Sequence, residues 1–240
     1  VIGPNVVVGE NTKLISQVSV QNNTILGASN VVHPFAVLGG TPQDLKYKGE
    51  DSKLVIGDNN VIREGATLNI GTDAGNGETR VGNDCLMMAY SHVAHDCILG
   101  DHVILANSVG LAGHVELGHH VIVGGLAGIH QFCRVGRNSF VAAGAMVAQD
   151  VVPFTIVQGD RAQHVGINAV GLRRAGWKQA QVAAVRTAFK RIFHPENARL
   201  VALEQTENTL AQESTDVAEM CAFIRKATRG VCRPRPALPN

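Results

Sequence analysis

The sequence predicts a mainly β fold: a parallel β-helix (solenoid) over residues 1–160, then a connector and a small C-terminal α-helical domain over residues 161–240. Three observations predict it. Aliphatic residues recur every six positions, glycine often follows them, and a helical period takes over from Trp177.

The six-residue step runs from Ile2 to Leu38, returns at Ile56, Ile62 and Leu68, and is unbroken from Val81 to Val147. All 22 positions in phase hold Ile, Val, Leu or Met, and glycine follows ten of them. A helix repeats near 3.6 residues and a strand repeats at two, so neither accounts for six. A short strand ending in a corner does, and three such faces close a coil of about 18 residues. Stacked coils bury a continuous core that no single repeat could bury. The glycines serve the corners, where φ is positive or where a Cβ would crowd the next coil. The step is interrupted at Thr41–Val55 and Thr72–Arg80, two polar, glycine-bearing insertions that read as loops thrown out from a corner. Loops on a rigid scaffold are where function concentrates.

The step fades after Pro153. Val182, Val185, Ala188, Phe189, Ile192 and Phe193 share one helical face, and Pro195 ends it. Leu200, Leu203, Leu210, Val217, Met220, Phe223 and Ile224 predict one or two further helices, and residues 230–240, with three prolines, a loose tail.

The 240 residues are 45% hydrophobic and 17% charged, enough to bury a core. A net charge of +1 gives no bias toward nucleic acid. Residues 173–240 carry 12 Lys/Arg against 6 Asp/Glu, and residues 1–172 carry 9 against 14, so the tail suits an acidic partner. Five cysteines without a CxxC pair argue against a disulfide framework or zinc knuckle and fit a reducing, cytoplasmic compartment. Cys85, Cys97 and Cys133 hold the small inward position of the hexad and read as core. No transmembrane run and no signal peptide is visible. The chain opens in mid-pattern at Val1-Ile2-Gly3 without a Met, which predicts that part of the natural N-terminus lies outside the sequence.

Residues 18 apart fall on adjacent coils, one strand spacing of about 4.8 Å apart. His95, Gly113 and Gln131 therefore form one column, flanked by Ala94, Ala112 and His130 on one side and by Asp96, His114 and Phe132 on the other. His92 lies three residues before His95. A lone histidine on a solenoid reads as a solvated surface residue, as for His102, His119 and His120. Four on one edge, beside an aspartate and glycines, read as a site.

Thr41-Pro42-Gln43-Asp44-Leu45-Lys46-Tyr47-Lys48-Gly49-Glu50 resembles the signature loop of the UDP-N-acetylglucosamine O-acyltransferases of lipid A biosynthesis. So do His92-Val93-Ala94-His95-Asp96-Cys97, Leu111-Ala112-Gly113-His114-Val115 and Ile129-His130-Gln131-Phe132-Cys133, and the likeness continues through Gly166-Ile167-Asn168 to Arg174. The hexads alone are common to many acyltransferases; the loop with the spaced histidines is specific. The resemblance implies a left-handed helix, against the usual right-handed crossover, and a homotrimer with active sites between subunits. It implies His95 as general base and Gly113 as the oxyanion-hole donor, with Asp44, Lys46, His92, His114, His130 and Gln131 lining the sugar and acyl site. Asn168 and Arg174 reach the nucleotide from a neighbouring subunit. The donor is the phosphopantetheine thioester of an acidic acyl carrier protein, the acceptor UDP-N-acetylglucosamine, and no metal or other cofactor is expected. Where family members carry an acidic residue and a second arginine near the nucleotide, this chain has Val170 and Ala175; where a basic residue often precedes the second loop's Gly-Thr, it has Ile70.

A sugar hydroxyl is a poor nucleophile at neutral pH and a thioester a good electrophile, so the reaction needs a base, and histidine fits. Asp96 is placed to orient it. From the residues alone, Gly113 reads as a plain corner glycine, and Lys46 and Arg174 as solvated charges. Arg186, Lys190, Arg191, Arg225, Lys226 and Arg229 read as a solvated helical face or as the surface that meets the carrier. Ala143 and Met146, on coils beyond His130, are candidate stops for the acyl chain. Three other readings are an N-acyltransferase acting on a 3-amino sugar nucleotide, a trimeric zinc solenoid of carbonic anhydrase type using His92, His95 and His114, and a non-catalytic scaffold. The scaffold leaves the gathering of loops and histidines at one edge unexplained.

Overall fold

Strands of two to five residues stack into three sheets, one per face of the solenoid and parallel except for the last strand of the second, in the computed structural model, which describes residues 1–235. The first sheet has 7 strands and begins at Val7–Val8, the second has 9 and begins at Lys13–Leu14, and the third has 7 and begins at Ser19–Val20. The register advances by one coil at a time: His92 pairs with Gly110, Gly110 with Gly128, and Gly128 with Met146. The aliphatic positions of the hexad point inward, and Leu26, Leu38, Ile62, Leu68, Leu105 and Leu111 are essentially inaccessible. Each buried side chain of this kind contributes about 1.5–3 kcal/mol.

Of the two roles suggested for the hexad glycines, crowding between coils is the commoner, Gly39 with its φ of 76° being an exception. A Cβ on Gly82 would lie 2.7 Å from the backbone of Gly100, and one on Gly100 would lie 2.8 Å from that of His119. Neither has a positive φ, so these glycines answer to crowding between coils. The positive-φ corner positions are held instead mostly by residues with short polar or aromatic side chains, among them Asn59, Asp84, Asp96 and His114.

Both insertions leave the same corner, between the third and first sheets. One loop runs from strand Val37–Gly40 to Lys53–Ile56 and the other from Thr67–Asn69 to Glu78–Val81. The His95–Asp96 turn and the Gly113–His114 turn are the next corners up this same edge.

Beyond Pro153 the sequence pattern understates the order. Thr155–Gln158 pairs parallel with Phe140–Val141, and Gln163–Ile167 then pairs antiparallel with it, extending the second sheet. Neither strand keeps the six-residue phase. Five helices follow among the described residues: α1 (Ala169–Arg174), α2 (Gln179–Ile192), α3 (Arg199–Glu207), α4 (Leu210–Glu213) and α5 (Thr215–Arg225). The face expected on α2 is buried. A second core joins it to Val152, Phe154, Leu172, Leu203, Val217 and Met220. Arg137 ties the helices to the solenoid: its guanidinium bonds Glu219 at 2.7 Å and Asp216 at 2.7 Å, and it lies over the rings of Phe154 and Trp177.

The tail expected to be loose is pinned as far as residue 235. Val231 and Cys232 are buried, Val231 bridges to Asp150, and Pro234 bridges to His164. Residues 236–240, the remainder of that expected tail, lie outside the described residues. All five cysteines are free and buried, and burial pushes the thiols of Cys85 and Cys133 up to about 11 and that of Cys97 up to about 12. No helix among the described residues is long and apolar enough to cross a membrane.

Candidate active site

The stacking places the histidines as their spacing requires. The His114 N–H donates to the His95 carbonyl at 3.0 Å, and the Phe132 N–H donates to that of Gly113 at 3.1 Å, so 95, 113 and 131 are vertical neighbours. They edge a groove of about 1350 Å³ on the outer face of the third sheet, with His92, Gly110, Gly128 and Met146 along its floor.

His95 Nδ1 lies 2.8 Å from Asp96 Oδ2. Asp96 sits at a positive-φ corner (φ 59°), which turns its carboxylate back toward the preceding ring. The carboxylate is fully buried and held by the second insertion, accepting from the Thr72 hydroxyl at 2.6 Å and from the N–H groups of Thr72 and Asn76 at 3.0 Å each. Its own N–H donates to Thr79 Oγ1 at 2.8 Å. Burial pushes the Asp96 carboxyl up, but the hydrogen bonds from Thr72, His95 and Asn76 outweigh it and leave the group below the ordinary carboxylate range. An ionised Asp96 fixes the His95 proton on Nδ1, leaving Nε2 unprotonated on the groove side.

A Cβ on Gly113 would lie 2.6 Å from His95 Cε1 and 2.7 Å from Nε2. Gly113 is therefore more than a plain corner: the imidazole rests over it. Its N–H has no acceptor among the described residues. His114 stacks on Phe132 with centroids 4.3 Å apart and meets His95 edge-on at 5.1 Å. Burial lowers the His114 pKa, against the opposing pull of the Asp96 charge. His92 Nδ1 lies 2.8 Å from Thr67 Oγ1, and its pKa is lowered by burial and then by His95.

Among the other expected residues, His130 and Gln131 line the groove. From the signature loop it is Gln43 that lines it, while Asp44 sits close enough for its charge to favour protonated His114, and Lys46 is exposed with its N–H on Asp44 Oδ1. Asn168, Arg174 and Ala143 do not line this chain's groove. Asn168 caps α1, accepting from the Gly171 N–H and donating to the Asn138 carbonyl at 2.9 Å; Arg174 is exposed on α1, and Ala143 is exposed at the corner between the second and third sheets. Asn168 and Arg174 were expected to act from a neighbouring subunit; Ala143, expected with Met146 as a stop for the acyl chain, stands at a different corner from the groove that Met146 lines.

Thr72, Asn76 and Thr79 were missed from the sequence, although the second insertion was recognised; nothing in their spacing links them to Asp96. Gly75 is the legible trace, since a Cβ there would lie 2.3 Å from the Asp96 carboxylate. The upper groove wall at Gln149, Arg161 and Arg233 was also missed as a site, and Arg229, expected on a helical face or at the carrier surface, lines the groove with them.

His95, Asp96 and His114 have ligand atoms within 4.8 Å of one another, a set that differs from the His92, His95 and His114 of the zinc reading. The Asp96 oxygens are already committed to Thr72, Asn76 and His95, and His92 turns to Thr67, so the donors serve an oriented base better than a cation.

Residues 78–113 match the bacterial transferase hexapeptide family, and residues 150–232 match the second domain of UDP-N-acetylglucosamine O-acyltransferase. The acyl-[acyl-carrier-protein]–UDP-N-acetylglucosamine O-acyltransferase of an Anaeromyxobacter species (strain Fw109-5) is 47% identical over 210 residues, covering 88% of this chain and 81% of the relative. That of Campylobacter concisus is 42% identical over 233 residues, covering 96% and 87%. This chain belongs to that family. The family's crystal structure from Moraxella catarrhalis superposes with a TM-score of 0.94 at 39% identity, covering 97% of this chain and 90% of that one, and the Francisella novicida enzyme superposes equally well at 38% identity, covering 97% and 85%. The chain is thus an acyltransferase with the family's left-handed β-helix and C-terminal helices.

Proposed function

We propose that the protein transfers a fatty acyl group, with or without a 3-hydroxyl, from the phosphopantetheine thioester of acyl carrier protein to the 3-hydroxyl of UDP-N-acetylglucosamine, the first step of lipid A biosynthesis. The observation that carries the mechanism is the alignment of buried Asp96, His95 and the unpartnered N–H of Gly113 on one edge of a groove. His95 Nε2 removes the proton of the sugar hydroxyl as its oxygen attacks the thioester carbonyl. The imidazolium is stabilised through Nδ1–H by Asp96, and the tetrahedral oxyanion by the Gly113 N–H. Collapse expels the thiolate, which takes the proton back from Nε2. The base contributes about 10²–10⁴-fold and the oxyanion donor about 10²–10³-fold.

The glycines of the groove floor leave room for an acyl chain, and Met146, two coils above Gly110, closes the track: a Cβ on Gly128 would lie 3.1 Å from the Met146 sulfur. The carrier docks on the helical end. Arg186, Lys190 and Lys226 are exposed there, whereas Arg225 is paired with Glu207 at 2.7 Å. A homotrimer supplies Asn168 and Arg174 from the neighbour. Phe35, Tyr90 and Leu126, on alternate coils of the corner between the second and third sheets and 63–70% exposed, are its apolar seam.

The deciding experiment offers UDP-N-acetylglucosamine and its 3-amino analogue side by side with a pool of acyl carriers and weighs the products by mass spectrometry. An ester of the 3-hydroxy sugar is expected; a product formed only from the amino sugar makes the enzyme an N-acyltransferase. The mass in solution should be three times that of the chain.

A further inference from the structure

We propose that Ser52, at the end of the first insertion, is a positioning residue for the base, acting on His95 through the peptide that joins Gly71 to Thr72 and then through Asp96. The inference rests on the base role of His95 proposed above. Ser52 is 2% exposed, and its hydroxyl donates to the Gly71 carbonyl at 2.5 Å. That carbonyl takes no other hydrogen bond among the described residues. The N–H of the same peptide, that of Thr72, donates to Asp96 Oδ1 at 3.0 Å. A trans peptide is planar, with its C=O and N–H pointing opposite ways. A bond that fixes the carbonyl therefore aims the N–H, and in a buried site it also strengthens the bond that the N–H makes. One chain of hydrogen bonds thus runs from the Ser52 hydroxyl through the 71–72 peptide and the Asp96 carboxylate to His95 Nδ1, and every member before the histidine is buried.

The Thr72 hydroxyl donates to Asp96 Oδ2 as well, so a turn of this peptide disturbs two of the three bonds that the second insertion gives the carboxylate. Gly71 has no side chain with which to hold itself, and a Cβ there would run into the backbone of Gly77 and Glu78. Residues 52 and 53 hold it from both sides: Ser52 takes its carbonyl, and its N–H donates to the Lys53 carbonyl at 3.2 Å. These two residues close the loop whose Gln43 lines the groove and whose Asp44 acts on His114. The start of that loop is fixed separately. The Asn69 amide donates to the carbonyls of Gly40 at 3.2 Å and Thr41 at 3.1 Å, and the Ile70 N–H donates to that of Gly40 at 3.0 Å. The loop that presents Gln43 and Asp44 to the acceptor therefore also orients the base, and its two ends divide the work. Removing the Ser52 hydroxyl disturbs the base and leaves the acceptor's contacts in place.

The test is a double-mutant cycle on turnover. Ser52→Ala should lower kcat about tenfold while the KM for the sugar nucleotide holds. In an Asp96→Asn background the same change should cost less than about twofold, because the group through which Ser52 acts is already lost. Ser52→Cys, which keeps the shape with a weaker donor, should fall between serine and alanine, and it carries the cycle if the alanine variant does not fold. A hydroxyl that only ties the two loops together would lower kcat by the same factor in both backgrounds or raise the KM. Either result overturns the proposal, as does unchanged turnover. The ring ¹⁵N shifts of His95 at pH 8 read its tautomer without any turnover: the intact enzyme should hold the proton on Nδ1 and Ser52→Ala should show a mixture of tautomers. If Asp96→Asn alone leaves turnover intact, the proposed base mechanism falls, and the ¹⁵N shifts then decide by themselves whether Ser52 positions the ring; identical shifts in the two proteins overturn it.

Discussion

The imidazole of His95 occupies the space that any side chain at position 113 would need: a Cβ there would sit 2.6 Å from the ring. The general base and the oxyanion donor are thus one steric unit. Gly113→Ala should lower kcat about 10²-fold or more, because the ring must tilt away from its Asp96 bond or the methyl must block the N–H. Thermal midpoint and sugar-nucleotide binding should change little, since the methyl points into the groove. Unchanged turnover in this variant would show that the ring does not work from the position it holds.

His95→Ala should remove most turnover while sugar nucleotide still binds, as tracked by calorimetry. Asp96→Asn separates orientation from basicity, because an amide keeps the shape but can no longer enforce the Nδ1–H tautomer. It should cost about 10²–10⁴-fold in kcat. The Asp96 carboxyl titrates below its ordinary range, so it stays ionised through the working pH, and its stabilising contribution is present above the unfolded value near 3.9 and is lost only as pH falls below it. A kcat profile whose acid limb tracks Asp96 in place of a histidine would contradict this.

Met146→Gly should extend the acyl group the enzyme accepts. The sulfur leans over Gly128 and the side chain is 42% exposed, so its removal opens the track without cutting into the core. Each further methylene buried there contributes about 0.8 kcal/mol, close to fourfold in kcat/KM. A series of donors of rising length measures the shift. Ala143→Met acts on the subunit that supplies that corner and should shorten the preference if the trimer places it on the same groove.

The coil of 18 residues, the inward aliphatics and the His95–Gly113–Gln131 column were legible because a solenoid converts sequence spacing directly into height. What that conversion cannot carry is anything off the period. The strand Gln163–Ile167 reverses direction and breaks phase, and Thr72 reaches Asp96 from a loop whose length has no repeat to fix it. Tail residues Val231 and Cys232 looked loose because three nearby prolines suggest no secondary structure, yet the segment needs none to bridge to Asp150 across the solenoid's end. His164 carried no signal at all.

His164 supplies a final expectation, in stability. It is buried between Phe189 and Phe193, and neither ring nitrogen has a partner among the described residues. Burial, and secondarily the charge of Arg199, lowers its pKa to about 3. The unfolded chain, with a pKa near 6.5, binds the proton far more readily, so folding excludes it. The stability is complete above about 6.5 and is lost progressively as pH falls toward 3. Between pH 7 and pH 4 the loss should reach about 3 kcal/mol from this group. His164→Leu removes both the titration and the two unpaired nitrogens, so it should be neutral or stabilising at pH 7 and clearly stabilising at pH 4. Urea midpoints at the two pH values measure it; a variant that loses as much stability on acidification as the parent would show that His164 is not the group that takes up the proton.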